Sequence, residues 1–301
     1  MELKELYQEI ILDHGKNPRN FGKCKDFTSD AKGHNPLCGD KVHIYAQLDK
    51  NKKILDLSFE GEGCAISLAE AGVDLIINSR DPKNLDAAAK LLRSKYQVQV
   101  ETVVADITTE EGQEAVLAKA ESNLDILVTN AGGPPPGQWS DWTRADFISA
   151  LDANMLTPIA LIKAVLPGMI DKGWGRIVNI TSQSVKAPIP VLGLSNSARA
   201  GLTGYVAGTS RQVAEFGVTI NNLQPGVHDT DRIKSLDAHI AKEAGITVSA
   251  AKQERRNAIP VKRYGTTEEF GAACAFLCSQ YAGFIVGQNI LLDGGAINST
   301  M

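Results

Sequence analysis

Residues 125–132, DILVTNAG, and residues 176–182, RIVNITS, decide the fold class of this chain. Each stretch is largely apolar and ends in small or polar residues, which is typical of a parallel strand covered by helices on both faces. Four further runs share the pattern and are separated by amphipathic segments of helical length: residues 73–79, 98–106, 219–226 and 289–295. The sequence therefore predicts an α/β fold with a doubly wound, mostly parallel sheet and helices on both faces.

Composition limits the classes of protein that the chain can represent. Its 301 residues allow one large α/β domain or two smaller ones. With 43% apolar residues, 22% charged residues and a formal net charge of -4, it lacks the basic surplus of a nucleic-acid binder. No uncharged apolar run approaches the roughly 18 residues that a membrane span needs, so we expect a cytoplasmic protein with no nucleic-acid or membrane partner. The five cysteines are odd in number and predict reduced thiols.

The first part of the chain has a different pattern. Two short alternating runs, at residues 42–49 and 53–59, are separated by a polar turn and predict an antiparallel hairpin. Cysteines flank this hairpin, because Cys38 precedes it, with Asp40 two residues further on, and Cys64 follows it. Two thiolates and a carboxylate could converge there.

Three stretches in this part carry a resemblance to a known family. Residues 4–22, KELYQEIILDHGKNPRNFG, residues 33–44, GHNPLCGDKVHI, and residues 57–67, LSFEGEGCAIS, are similar to the first half of U-type iron-sulfur cluster assembly scaffolds. The resemblance implies that Cys38, Asp40 and Cys64 bind zinc or an iron-sulfur cluster. The family's third cysteine has no counterpart, so the alternatives are a three-ligand zinc site completed by water or a vestigial pair of thiols.

The rest of the chain resembles the short-chain dehydrogenase/reductase family over some 230 residues. The matching motifs are LAEAGVDLIINSRD from residue 68, VVAD from 103, NAG from 130, DANMLTPIAL from 152, GRIVNITSQS from 175, NNLQPGVHDT from 221 and GFIVGQNILLDGG from 283. The resemblance implies a Rossmann-type fold and hydride transfer between a nicotinamide cofactor and a small-molecule carbonyl or alcohol substrate. It also implies a homo-oligomer.

Several positions match the family's cofactor-binding motifs. Asp106 would accept a hydrogen bond from the adenine amine. Small residues let the backbone approach the cofactor, and Pro225, Gly226 and Thr230 belong to a later cofactor motif. Arg80 stands where an NAD-preferring protein would carry an acid, which favours NADP(H) because a guanidinium can hold the 2'-phosphate; the alternative is a solvated charge at a strand end. The small residues that would let the backbone approach the cofactor are Asn130, Ala131 and Gly132.

The family's catalytic tetrad of Asn, Ser, Tyr and Lys is only half preserved. The motif spacing assigns Asn154 and Ser182 to the first two positions, but it places Ser195 in the tyrosine position and Arg199 in the lysine position. A serine hydroxyl is a far poorer proton donor than a tyrosine beside a cation. Two interpretations stay open, namely polar residues that merely line a pocket and a working relay built on Ser182.

The two resemblances meet between residues 61 and 68. Gly61 and Gly63 imitate the last two glycines of the phosphate-binding turn, but the strand that should precede the turn is absent, and glutamates stand where a pyrophosphate would bind. We therefore predict a chimera, with a truncated scaffold-like segment at 1–67 and a reductase-like domain lacking its first strand at 68–301. The functional alternatives are an NADP(H)-dependent oxidoreductase, a metal or iron-sulfur scaffold, and a nucleotide-binding protein without turnover.

Overall fold

The computed structural model describes residues 29–34, 41–48, 54–61, 64–120 and 124–299. Its strands, in chain order, are β1 (Ser29–His34), β2 (Lys41–Leu48), β3 (Ile54–Gly61), β4 (Leu75–Ser79), β5 (Val100–Val104), β6 (Ile126–Thr129), β7 (Gly175–Ile180), β8 (Val218–Pro225) and β9 (Asn289–Leu292). Its α-helices are α1 (Cys64–Glu70), α2 (Pro82–Lys95), α3 (Glu110–Lys119), α4 (Arg144–Leu151), α5 (Thr157–Lys172), α6 (Gly193–Val213), α7 (Asp231–Ala244), α8 (Val248–Ala258) and α9 (Thr267–Cys278).

All six strands predicted for the main part of the chain form, and all pair in parallel. Strands β4 and β5 make one sheet, and β6, β7, β8 and β9 make a second sheet in that order. One apolar cluster links the two sheets, because it contains Leu68 of α1, Leu75 of β4 and Val128 of β6. Helices α1 and α9 pack on the face of the sheets that carries this cluster, while α5 and α6 pack on the opposite face. The predicted α/β architecture with helices on both faces is confirmed.

The three N-terminal strands pair among themselves. Strand β2 pairs antiparallel with both β1 and β3, and Ile44 faces Phe59 across the β2–β3 ladder. Among the described strands, none pairs with both β4 and β6, where the reductase resemblance would place the first strand of the sheet. The assignment of this segment to a scaffold stays a prediction.

Side-chain hydrogen bonds cross the four-stranded sheet from edge to edge. Thr129 Oγ1 donates to Asn179 Oδ1 at 2.7 Å, and Asn179 Nδ2 donates to Asn222 Oδ1 at 3.1 Å. Asn222 Nδ2 then donates to Asn289 Oδ1 at 2.8 Å. These four residues are direct partners in the strand register, and Asn179 and Asn222 are fully buried. A one-residue slip of any strand would leave buried amides unpaired, so this polar ladder fixes the register.

One long helical segment is interrupted by a π-turn. Between α4 and α5, residues Asp152–Leu156 form the π-turn, which places Asn154 in the interior. The whole segment from Arg144 to Lys172 is long and apolar enough by composition to cross a membrane. Its apolar character has a structural explanation, because Ile162 and Met169 are fully buried in the core against β7 and β8.

The loop after β8 is held by a buried histidine. His228 forms an isolated bridge with Gly265, and its ring meets the ring of Phe270 edge-on at 5.1 Å between centroids. Burial lowers the pKa of His228, since desolvation disfavours the charged imidazolium, while the backbone oxygen of Gly226 and the carboxylate of Glu269 act weakly in the opposite direction. The ring is therefore neutral in the folded protein at neutral pH.

The polar ladder gives a prediction about stability. We expect Asn179→Leu to lower the free energy of unfolding by about 2–4 kcal/mol, because it leaves the Thr129 hydroxyl and the Asn222 carbonyl buried without their partner. Urea denaturation followed by circular dichroism measures this. The control is Gln253→Ala, whose exposed amide donates a hydrogen bond to Asn257 and whose loss should cost less than about 0.5 kcal/mol. Equal effects of the two substitutions would contradict a structural role for the ladder.

The buried histidine gives a prediction about pH. Its folded-state pKa lies below the usual value of about 6.5, so the unfolded chain takes up a proton first as the pH falls, and stability decreases below about pH 6.5. We expect the wild type to lose more stability than His228→Leu between pH 7 and 5.5. Thermal or urea unfolding at the two pH values measures the difference, and the remaining histidines are common to both proteins. Parallel pH profiles would show that His228 is not the responsible group.

Candidate active site

The residues in the tyrosine and lysine positions lie together at the start of α6. Ser195 and Arg199 are four residues apart and therefore share one face of the helix, and both are buried. Nε of Arg199 donates a hydrogen bond to Oγ of Ser195 at 3.3 Å. This contact joins the two residues that the family's motif spacing assigns to the tyrosine and lysine positions.

The Arg199 guanidinium also reaches the carboxyl ends of two strands. Nη1 donates to the carbonyl oxygen of Ile180, at the end of β7, at 2.8 Å, and Nη2 donates to the carbonyl oxygen of Ala131 at 3.2 Å. Ala131 lies just after β6, in the Asn-Ala-Gly triplet assigned to the cofactor. The planar fork thus holds a permanent positive charge where β6 and β7 end, because a guanidinium stays protonated at any ordinary pH.

The other two candidate catalytic residues flank this corner. Ser182 follows β7, and its Oγ accepts a hydrogen bond from the backbone N–H of Ser184 at 3.1 Å. Asn154 donates weakly to the carbonyl oxygen of Ala150 at 3.4 Å, so the π-turn rather than a strong hydrogen bond fixes its position. The π-turn packs on α6 through Met155, whose sulfur would lie 2.7 Å from a Cβ added at Gly201. Glycine at that point leaves room for the Met155 side chain, which a larger residue would displace.

Several buried polar atoms near these strand ends have no hydrogen-bond partner among the described residues. They are Oδ1 of Asn154, Oγ1 of Thr181, Oγ of Ser184 and both amide atoms of Gln224. Thr181 and Gln224 stand one step beyond the last pair of the β7–β8 ladder, on the same face as Asn179 and Asn222. The period-two alternation in NNLQPG would have placed Gln224 there, but sequence reasoning did not single it out. This corner can therefore bind polar atoms of a ligand or of water.

The candidate residues for the adenosine end lie at the ends of β4 and β5. Nη1 of Arg80 is 3.5 Å from Oδ2 of Asp106, and both side chains are substantially exposed. Backbone and side-chain hydrogen bonds from Thr108, helped by Arg80, hold the pKa of the Asp106 carboxyl below its usual value. A cleft of about 450 Å³ lies beside them, lined by Arg80, Thr108, Ala145, Ile148, Ser149, Asp152 and Ala153.

The loop after β8 lies on the other side of the candidate site. The backbone N–H of Gly226 donates to the carbonyl oxygen of Leu292 on β9 at 2.8 Å. A Cβ at Gly226 would lie 2.6 Å from Cα of Asp293 and 3.1 Å from Oε1 of Gln183, so only glycine permits this approach. Pro225 ends β8, and Thr230 is the N-cap of α7. The structure thus brings these residues to the same edge of the sheet as Ser182.

The N-terminal candidates are only partly described. Gly61 is the last residue of β3, while Gly63, Cys38 and Asp40 lie outside the described residues. Within the described ranges, no group of three or more His, Cys, Asp or Glu side chains is arranged to hold a metal ion. The predicted metal site therefore stays a prediction.

Cys64 has neighbours that its place in the sequence did not suggest. Cys274 and Cys278 on α9 are both buried. Cys64, the first residue of α1, packs into the same apolar cluster. The thiol of Cys274 lies among those of Cys278 and Cys64, and these neighbours together with burial raise its pKa well above the usual value. The sequence analysis did not predict this group of three thiols, because Cys64 lies far from the other two in the chain.

Comparison with known proteins agrees with this geometry. The family model described as Enoyl-(Acyl carrier protein) reductase matches residues 61–297. The chain is 29% identical over 243 residues to NADPH-dependent reductase BacG of Bacillus subtilis, covering 79% of this chain and 94% of that protein. It is 30% identical over 257 residues to Dehydrogenase/reductase SDR family member 4 of Bos taurus, covering 83% of this chain and 88% of that protein.

A solved structure shows the same arrangement of elements. The structure of L-sorbose reductase from Gluconobacter frateurii, complexed with NADPH and L-sorbose, superposes with a TM-score of 0.74 at 26% sequence identity, covering 79% of this chain and 94% of that chain. One conclusion follows from the six parallel strands, from the site at their carboxyl ends and from the extent of these matches. The chain belongs to the short-chain dehydrogenase/reductase family, and the family match spans residues 61–297.

Proposed function

We propose that this protein is an NADPH-dependent reductase of a small-molecule carbonyl compound. The observation that carries the proposal is the corner in which Arg199 bonds Ser195 and the ends of β6 and β7. It keeps a cation and a hydroxyl at the positions that match the family's catalytic pair. The relatives named as NADPH-dependent support the same cofactor.

Arg80 supports NADP(H) over NAD(H). Arg80 directly follows β4 beside the cleft. Its ion pair with Asp106 is exposed, contributes little and leaves donors for a phosphate. Asp106, Asn130, Ala131 and Gly132 would line the adenosine side, and Pro225, Gly226 and Thr230 the nicotinamide side. Gly61 and Gly63 would provide the phosphate-binding turn before α1.

The residues of the corner would divide the chemistry. Bound NADPH would supply the hydride for the carbonyl carbon. Ser182 and Asn154 would orient the carbonyl oxygen, and the fixed charge of Arg199 would stabilise the negative charge that develops on it. Ser195 would pass on the proton, but an aliphatic hydroxyl is a poor acid compared with tyrosine at pKa about 10. The proposed enzyme is therefore slow in the proton-transfer step.

We further propose a homo-oligomer in the cytoplasm. Large apolar side chains are exposed along one stretch, residues 276–284, where Phe276, Tyr281 and Phe284 project from the end of α9 and the turn after it. A second copy of the chain would cover them. The division into a scaffold-like segment at 1–67 and a reductase domain at 68–301 belongs to the same proposal, although the family match begins earlier, at residue 61.

Calorimetric titration with NADPH and NADH tests the role of Arg80. We expect the wild type to prefer NADPH and Arg80→Asp to lose about 10–100-fold in NADPH affinity, because charged hydrogen bonds to the 2'-phosphate contribute about 1.5–3 kcal/mol. NADH affinity should change little. Lys83→Asp is the matched control, since it makes the same charge change on exposed α2 nearby. An equal loss for both cofactors, or no NADPH binding by the folded wild type, would contradict the proposal.

Restoring the family's acid tests the catalytic corner. We expect the double variant Ser195→Tyr with Arg199→Lys to reduce a panel of ketones and aldehydes about 10²–10⁴-fold faster than the wild type, since a positioned general acid contributes this much. NADPH oxidation at 340 nm under single-turnover conditions measures the rate. Arg199→Lys alone is the control and should give no such gain. A folded double variant that binds NADPH and shows no acceleration would argue that the site lacks reductase geometry.

A further inference from the structure

Three cysteines that are far apart in the sequence meet between two helices. Helix α1 begins at Cys64, α9 carries Cys274 and ends at Cys278, and the two helices pack directly against each other. All three side chains belong to the apolar cluster that also contains Leu68 and Leu277. Within this cluster, Cys64 and Cys278 are the thiol neighbours of Cys274.

The three thiols differ in access to solvent. Cys64 is only half-buried, whereas Cys274 is fully buried and Cys278 is 3% exposed. A soluble oxidant therefore reaches Cys64 first. The thiol with which the oxidised Cys64 can then react lies inside the protein. Cys274 and Cys278 occupy consecutive turns of one helix, where a mutual disulfide would strain the backbone. Cys64 belongs to a different helix, so a disulfide with Cys274 would link two helices.

We propose that Cys64 and Cys274 form an intramolecular disulfide when the folded protein meets a peroxide. The Cys64 sulfur attacks one peroxide oxygen, the O–O bond breaks, and the second oxygen leaves with a proton, as water if the peroxide is hydrogen peroxide. Cys64 is then a sulfenic acid. The Cys274 sulfur attacks the Cys64 sulfur, the S–O bond breaks, and the departing hydroxide takes up the Cys274 proton as a second water. Two thiols lose two electrons and one peroxide gains them.

The disulfide would cross-link the first turn of α1 to α9. Helix α1 begins three residues after Gly61, and it joins the β4 side of the fold to the β6 side through Leu68. The modification would therefore join two segments separated by about two hundred residues of chain at the edge of the proposed cofactor site. It requires neither cofactor nor substrate, so it stands independently of the proposed function.

Peptide mapping tests the disulfide directly. The variant Cys24→Ser with Cys38→Ser retains only the three thiols at issue, and it is treated with hydrogen peroxide, blocked with N-ethylmaleimide under denaturing conditions and digested with trypsin without reductant. We expect two of three thiols to disappear and a reducible cross-link between the peptides of residues 54–80 and 264–301, in protein that migrates as a monomer on a non-reducing gel. Sulfonic acid at Cys64 without a cross-link, or a disulfide-linked dimer, would overturn the proposal.

Matched single substitutions identify the partner. In the same background, Cys274→Ser should abolish the cross-link, and Cys278→Ser should preserve it at full yield. Circular dichroism before oxidation checks that both variants fold. The opposite pattern, with the cross-link lost in Cys278→Ser and kept in Cys274→Ser, would overturn the assignment to Cys274. A protein that keeps all three thiols after peroxide treatment would overturn the modification itself.

Discussion

The hydrogen-bonded ladder from Thr129 through Asn179 and Asn222 to Asn289 is the constraint on which the candidate site depends. Main-chain pairing alone permits a parallel strand to shift by one or two residues, but buried amides accept only the register in which each finds its partner. Fixing the register also fixes where each strand ends. The carbonyl oxygens of Ile180 and Ala131 therefore meet the Arg199 guanidinium, and Gly226 meets the end of β9.

Arginine in the lysine position changes the character of this corner without dismantling it. A lysine ammonium is a compact charge that can rotate toward different acceptors, whereas the guanidinium of Arg199 spans three acceptors on three segments at once. It ties α6 to the strand ends and cannot release its proton. The corner is thus well suited to stabilise negative charge and poorly suited to deliver a proton, in keeping with serine in place of tyrosine.

Helix α1 has an unusual role for its seven residues. The described strands leave β4 and β6 in separate sheets, and Leu68 supplies an apolar contact that both sheets share. Ala69 of the same helix packs with α2 and β5 in a second apolar cluster. Helix α1 therefore contributes to both clusters. Its first residue, Cys64, is also the one cysteine of the three-thiol group that reaches solvent, and the fold and the proposed modification therefore involve the same helix.

The sequence by itself determined the strands, their parallel direction and the positions that resemble a catalytic and cofactor site. Near-continuous apolar runs and ordered motifs are local properties of the chain, and they survive in any environment that buries both faces of a sheet. The family resemblance assigned Ser195 and Arg199 to the tyrosine and lysine positions, and residues four apart lie on one face of a helix. The assignments to cofactor and substrate remain predictions, and so does the metal site that includes Cys38 and Asp40.

Only the tertiary structure decided which distant groups meet. It paired Arg80 with Asp106, placed Gln224 beside Thr181 beyond the polar ladder, and brought Cys64 against Cys274 across 210 positions of sequence. No local pattern encodes such contacts, because they depend on the order of strands in the sheet and on which helices cover each face. The physical reason is that close packing and the pairing of buried polar groups act between segments, and sequence periodicity describes only one segment at a time.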